Sequence, residues 1–537
     1  MRRFATLLDR LSLTPSRNGK LRLIEAYLAE APDPDRGWGL AAITGDLRLD
    51  TVKPAMLRAL IAERADPELF ALSHDFVGDL AETIALMWPE GATPPADPPL
   101  GEVVAELRGA SRREAPRLVE RRLDALDAPA RFALLKLVTG GLRVGVSARL
   151  AKQALADFGG RDVNEIEEVW HGLEPPYAAL FAWLGGTGAR PAADTRLGFR
   201  PVMLSHPLEE ADRAKLDPAD FRAEWKWDGI RVQASAGPEG QRLYSRTGEE
   251  ISRAFPDLVE AMRFDATLDG ELLVARPEGL GAGAAPFGDL QRRLNRKTVT
   301  AREMGRFPAF LRLYDLLREG GEDLRPAPFD ARRARLEAFA AGLDRDRFDL
   351  SPLIGFESWA ELARERAAPP EEVIEGVMLK RRDSPYLAGR PAGHWYKWKR
   401  DPRVIDAVLM YAQRGHGKRS GYYSDYTFGV WAPDGALVPV GKAYFGFTDE
   451  ELVRIDRFVR DNTVERFGPV RAVRAEPGHG LVLEVAFEGL NRSTRHKSGV
   501  AMRFPRISRL RWDKPPSEAD RIEALEALLP PGDADDE

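Results

Sequence analysis

The chain has 537 residues, 44% hydrophobic and 30% charged, which is enough for about three domains of roughly 150 residues, each with a core of its own. No run reaches the roughly 18 apolar residues of a membrane span, and with no cysteine there can be no disulfide, thiolate nucleophile or cysteine-based zinc or iron–sulfur site. A net charge of −5 excludes wholesale attraction to polyanions, so an anionic partner must be held by local patches.

The start, MRRFATLLDRLSLTPS, interrupts its apolar residues with Asp9 and Arg10, lacks the apolar centre of a secretory signal and reads as an amphipathic helix. A cytoplasmic location, with no membrane partner, is the expectation. Residues 1–195 are predicted to be all-α. Stretches such as RLVERRLDALDAPARFALLKLV and SARLAKQALADF repeat apolar residues at three- and four-residue spacing, with Asp127 and Ser147 as N-caps. GGTGARPAADTRLGFRP (185–201) has no periodicity and reads as a linker.

From 200 to 402 short β-like runs dominate (IRVQAS, RLYSR, ATLDGELLVA, FLRLYDLL, EGVMLKR), with a helical segment at 330–342, which predicts an α+β domain. The alternating runs between 403 and 515 (DAVLMYAQR, YTFGVWA, VPVGKAYFG, LVLEVAFEGL) predict a small β-barrel. Residues 516–537 are expected to hold a C-terminal helix and an acidic tail. Eight Lys or Arg against one acid lie between Arg492 and Lys514, a local basic patch.

KWDGIR places Lys226 between Trp225 and Trp227, just before an Asp-Gly turn. Taken alone, such a lysine is as easily a solvated turn residue. An amine is a nucleophile only when unprotonated, however. Two tryptophans on the opposite strand face, with Arg231 and Arg246 nearby, are expected to favour that form. Downstream, Asp269 and Glu271 in LDGELLV share a strand face, which suits a divalent metal or a ribose hydroxyl but equally a solvated pair. EGVMLK adds Glu375 and Lys380, and WYKWKR puts Lys397 and Lys399 on one strand face, as a phosphate requires. Val377 and Met378 read as core, one of them able to pack under a base. RRLNRK (292–297) reads equally as a solvated helix face or a DNA-backbone contact. Seven histidines show no metal-ligand spacing.

In this order KWDGIR, SRTGEEIS, LDGELLV, LRLYDLL, EGVMLK, WYKWKR and the basic RFPRISRLRWDK (503–514) resemble the motifs of the ATP-dependent DNA ligases, members of the covalent nucleotidyltransferase superfamily. HDFVGDLAETIALMW and LLKLVTGGLRVGVS resemble segments of the helical DNA-binding domain of the larger ligases. The resemblance implies a helical DNA-binding domain, an adenylation domain and a C-terminal OB-fold.

It further implies that Lys226 is adenylated by ATP, that AMP passes to the 5′-phosphate of a nick in duplex DNA, and that the 3′-hydroxyl then displaces it, in repair or replication. By the same resemblance Glu224 accepts from the adenine amino group and Tyr314 stacks on the base. Arg231 and Arg246 contact ribose or the nick phosphate. Glu271 serves ribose or metal, Glu375 holds Mg²⁺, and Lys397 and Lys399 meet the α-phosphate. Arg390, followed here by Pro391, is the nearest match to an arginine that reaches the nucleotide. Arg143, Gly145, Arg506 and Arg511 contact DNA, Asp513 and Lys514 orient pyrophosphate, and the enzyme is a monomer.

Three alternatives share features with this reading: an RNA ligase or capping enzyme, an NAD-dependent DNA ligase, and a catalytically dead nick-sensing scaffold. The helical third argues against the first, the absence of a tetracysteine zinc site against the second, and the intact set Lys226, Glu271, Glu375, Lys397 and Lys399 against the third.

Overall fold

The computed structural model describes all residues except 48, 50, 78, 91–94, 141, 143, 192–195, 277, 295, 297, 298, 415–420, 494, 495 and 530–537, together with the side chains of 75, 76 and 280. The chain divides into two compact units, Met1–Trp398 and Lys399–Glu537.

Among the described residues, twelve helices run from Arg2 to Leu184 in the first unit. Their caps follow the sequence. Asp127 accepts from the Ala130 N–H to start Ala128–Thr139, and Ser147 accepts from the Leu150 N–H to start Ala148–Gly159. The apolar stripes meet in one core in which Leu8, Leu11, Leu134, Ala154 and Leu155 are fully buried.

Ala128–Thr139 ends where Gly140 turns left-handed at φ 65°, and Gly145 does so again at φ 67°. Between them Lys20 Nζ donates to the carbonyls of Val144 (2.8 Å) and Gly145 (2.9 Å), pinning the segment to the Arg17–Glu30 helix. Arg143 lies outside the described residues.

The remainder of the first unit is built on two sheets. One contains β1 (Phe221–Trp227), β6 (Ile374–Arg381) and β7 (Trp395–Lys399) in the order β7-β6-β1, with two-residue strands at His206–Pro207 and Leu353–Ile354 on its edges. The other runs β3 (Gly240–Ser245), β2 (Ile230–Gly237), β4 (Ala266–Arg276), β5 (Ala309–Glu319), with all three of these pairings antiparallel. Each face has its own core, because side chains alternate along a strand. On β1, Phe221, Ala223, Trp225 and Trp227 enter an apolar cluster with Leu273, Val377 and Leu379, while Leu268 and Leu272 of β4 enter another with Val232 and Leu313.

The Asp228-Gly229 turn carries the chain from the first sheet into the second. Asp228 N–H donates to the Val373 carbonyl at 2.7 Å. A Cβ on Gly229 would sit 2.5 Å from the Leu272 carbonyl oxygen and 2.8 Å from Glu271 Cγ, so only glycine lets the turn lie against β4. The turn thereby brings Lys226 beside Glu271.

In the second unit the long strand β8 (Arg403–Arg414) pairs with β9 (Tyr423–Trp431) at one end and with Val482–Phe487 at the other. Val482–Phe487 also pairs with the basic strand Arg506–Arg511, antiparallel. A helix, Asp449–Asp461, opens with a Thr448/Glu451 capping box and buries Leu452, Ile455 and Val459 against the sheet. Among the described residues, no helix of either unit is long and apolar enough to cross a membrane.

Candidate active site

Lys226 and Glu224 project from β1 on the face opposite the tryptophans. Lys226 Nζ donates to Glu375 Oε2 of β6 at 2.6 Å, with both side chains largely but not wholly covered. Burial alone would lower the ammonium's pKa. The charges of Glu375 and Glu271, the hydrogen bond to Glu375 and the charge of Asp228 outweigh it, so the pKa lies above its ordinary value. The expectation of an amine readied by desolvation and cations is therefore overturned: carboxylates, not arginines, surround it.

Burial pushes the Glu271 carboxyl up to about 8. Lys226 and Arg231 oppose the shift, and the charges of Glu375 and Asp228 add to it.

Asp269, two residues before Glu271, has a different part. It is wholly buried and takes Arg231 in a fork, Nε on Oδ1 at 3.1 Å and Nη2 on Oδ2 at 2.7 Å, while the Tyr386 hydroxyl donates to the same Oδ2 at 2.6 Å. Arg231 also donates to the Met203 carbonyl (2.6 Å) and Tyr386 (3.0 Å). The expectation that Arg231 reaches ribose or a nick phosphate meets a guanidinium already committed to protein partners, which ties β2 to β4.

Glu224 is also sealed. Lys380 Nζ lies 3.1 Å from its carboxylate and Arg333 Nη1 3.4 Å. Burial raises the Glu224 carboxyl despite both cations, and burial lowers Lys380 despite Glu224 and Asp315. Lys380 also donates to the Tyr314 carbonyl at 3.0 Å, and its ammonium sits 4.6 Å from the Tyr314 ring centre and 4.8 Å from that of Trp395. Tyr314, half-exposed, thus stands beside a buried Glu224–Lys380 pair. Sequence reasoning named Glu224 and Tyr314 but not Arg333, which comes from the Phe329–Ala340 helix and carries no motif.

Of the two residues expected to be core, Val377 is fully buried, whereas Met378 is half-exposed, paired in register with Glu224 and on the Lys226 face.

Lys397 is half-buried on β7. Lys399, on the same strand face, is bidentate to Glu488 at 2.9 Å to each oxygen within the second unit. Arg246 is exposed in the turn after β3, and Arg390 is exposed in the irregular segment before β7, its carbonyl 3.3 Å from His206 Nε2. In the second unit Arg506 and Arg511 begin and end one strand. Arg511 forks onto Asp513 and also meets Asp406, which Lys514 contacts at 2.8 Å.

A lysine thus stands between two carboxylates, on one strand face with a buried acid–base pair that backs an aromatic ring. The family profile described as "ATP dependent DNA ligase domain" matches residues 202–399, and "ATP dependent DNA ligase C terminal region" matches 419–514. The "Probable DNA ligase" of Koribacter versatilis is 34% identical over 77% of this chain and 74% of its own length. That of Anaeromyxobacter dehalogenans is 32% identical over 96% and 97%. The chain belongs to the ATP-dependent DNA ligase family.

The "DNA ligase 1" of Korarchaeum cryptofilum is 28% identical over 98% of both chains. The solved structure of Pmar-Lig_PreS3 shares the fold, with a TM-score of 0.60 over 95% of this chain at 16% identity. As a ligase of this family the protein seals breaks in DNA at the expense of ATP through a lysyl-adenylate. The helical N-terminal region followed by two sheet-containing parts matches the ligase architecture.

Proposed function

We propose that Lys226 is the adenylated lysine and that the protein acts as a single chain on nicked duplex DNA. The observation that carries this reading is the placing of Lys226 between Glu375 and Glu271, on one strand face with the Glu224–Lys380 pair.

In the first step Lys226 Nζ attacks the α-phosphate of ATP, forming a P–N bond as the bond to pyrophosphate breaks. The amine must give up its proton, and Glu375, already its hydrogen-bond partner, is the group placed to take it. An oxygen of the 5′-phosphate at the nick then attacks, breaking the P–N bond and carrying AMP onto DNA. The 3′-hydroxyl finally attacks that 5′-phosphate and expels AMP. Each step is an in-line phosphoryl transfer, so holding the groups in line provides much of the acceleration.

Tyr314 stacks on adenine, and the Glu224–Lys380 pair offers an acceptor and a donor to its edge. Lys397 and Lys399 serve the α-phosphate, the latter after leaving Glu488.

Glu271 and Glu375 would hold a divalent ion. Two carboxylates leave most of the shell to phosphate oxygens and water, as Mg²⁺ takes them. When bound, such an ion neutralises charge on the phosphate oxygens.

The helical region is read as the duplex-binding part, with Gly145 and the 140–147 segment on the backbone. The second unit's sheet is read as an OB-type barrel presenting Arg506 and Arg511 to DNA and Asp513 and Lys514 to pyrophosphate. The cytoplasmic, DNA-associated setting goes with this reading. The test is incubation with α-labelled ATP and Mg²⁺ followed by a chase with nicked duplex. Label should fix on the protein and then move to the 5′-phosphate. Label that never leaves the protein for DNA contradicts the reading.

A further inference from the structure

The face of β4 that carries Glu271 and Asp269 continues to Thr267, four residues and roughly 13 Å from Glu271 at the usual strand rise. There Arg200 Nη1 donates to Thr267 Oγ1 at 3.0 Å, beneath a cleft of about 380 Å³.

The cleft opens where the helix Val163–Trp170 meets the hairpin that follows β5, and Arg196, Arg200, Arg318 and Arg325 line it together with Glu168 and Asp323. Two carboxylates, Glu168 in its lining and Asp265 behind it, are shared. Glu168 takes both Arg190 (3.0 Å) and Arg325 (3.2 Å), and Asp265 takes both Arg318 (2.6 Å) and Arg196 (3.6 Å), while Asp323 takes Arg325 alone (2.7 Å). Among the described residues, four guanidiniums, of Arg190, Arg196, Arg318 and Arg325, thus share three carboxylates, with the Arg200 guanidinium beside them.

Arg318 is 3% exposed, yet its Nε has no hydrogen-bond partner among the described residues. Burial lowers the Arg200 guanidinium to about 10, and the charges of Arg325 and Arg318 push the same way against Asp323 and Glu168. The rim residues Gly320 and Gly321 have open space where a side chain would stand, so a ligand can approach the backbone.

We propose that this cleft is a second anion site, built for a phosphate group and separate from the lysine site. Guanidinium forks match phosphate oxygens geometrically, and a cleft in which two of the three carboxylates are each divided between two cations leaves charge for a further anion. The phosphate is either free or borne on a DNA strand. A phosphate here would compete with Glu168 for Arg325 and so act on the contact between the helical region and the sheets.

The test is calorimetric titration of the full chain with inorganic phosphate at low ionic strength. The expected result is saturable binding that is weakened tenfold or more in R196Q/R325Q and tightened severalfold in E168Q, which removes a competing carboxylate. Self-adenylation, unchanged in both, checks the fold and stands apart from the cleft.

Intact duplex DNA distinguishes the sources. A backbone phosphate predicts that duplex competes with inorganic phosphate and that R196Q/R325Q binds duplex more weakly with a shallower salt slope. Free phosphate predicts no competition and unchanged duplex affinity. Phosphate affinity that is equal in all three proteins, or binding that never saturates, overturns the proposal.

Discussion

Lys226 donates its ammonium to Glu375 at 2.6 Å, so the amine that must attack phosphorus is held protonated by a carboxylate also assigned to the metal. Lys226→Ala should abolish covalent labelling from α-labelled ATP while the fold survives. Lys226→Arg should fail too, because a guanidinium stays protonated. Glu375→Ala should slow labelling by about 10²-fold or more even though it frees the lysine. With Lys226 raised and Glu271 near 8, both groups must lose protons for the reaction, so the labelling rate should climb from pH 6 to 9. A rate flat across that range would count against the assignment of both residues.

The buried Glu224–Lys380–Arg333 cluster makes a prediction about stability as well as binding. Lys380→Met leaves Glu224 with only Arg333 at 3.4 Å, and removing one partner of a buried pair costs about 3–5 kcal/mol. Adding Glu224→Leu should recover part of that loss, since an apolar pair replaces an unpaired charge. Chemical denaturation of Lys380→Met, Glu224→Leu, the double variant and wild type measures the coupling. If the double variant is as unstable as the sum of the single ones, the pair is not coupled as the distances require.

His171 follows the Val163–Trp170 helix and sits against Phe199 and Tyr244, with ring centres 5.3 and 5.1 Å away. Burial, reinforced by Lys152 and opposed by Asp46, lowers its pKa from 6.5 to about 4. Between those values the unfolded chain binds the proton and the folded one does not, so stability falls as pH drops from about 6.5 toward 4. The loss approaches about 3 kcal/mol at 1.36 kcal/mol per unit. His171→Phe should flatten this slope when melting is followed from pH 7.5 to 4.5. An unchanged slope would mean that other groups carry the acid sensitivity.

Much of this was legible in the sequence because it rests on local rules. Asp127 and Ser147 announce their helices by hydroxyl or carboxylate caps, and the period-two runs around Leu268–Leu272 and Val377–Leu379 announce half-buried strands. The helix Asp449–Asp461 went unforeseen although its Thr448/Glu451 box was in plain view, since the surrounding strand pattern set the expectation. The partners of the site residues were the illegible part. Arg231 lies in a motif, but that it locks onto Asp269, Met203 and Tyr386, up to 155 positions away, follows only from the packing of two sheets. The lysine's charge state likewise depends on Glu375, 149 residues downstream.

The last prediction concerns Asp513 and Lys514, expected to orient pyrophosphate. Lys514 reaches Asp406 at 2.8 Å, and Arg511 divides itself between Asp406 and Asp513, so the basic segment is tied to β8 by one shared carboxylate. If the segment serves only the first step, Asp513→Ala/Lys514→Ala should cripple adenylation by ATP, by about 10²-fold, while sparing the sealing of a nick supplied already adenylated. The shared carboxylate adds a control. Asp406→Asn breaks the tie to Lys514 and Arg511 without removing either cation, so a purely structural role would make it as damaging as the double alanine variant in both assays. A role in the first step predicts that Asp406→Asn leaves sealing of pre-adenylated DNA intact and affects adenylation less than the loss of Asp513 and Lys514 does. Equal losses in both assays for the double variant would instead assign the segment to DNA contact throughout the cycle.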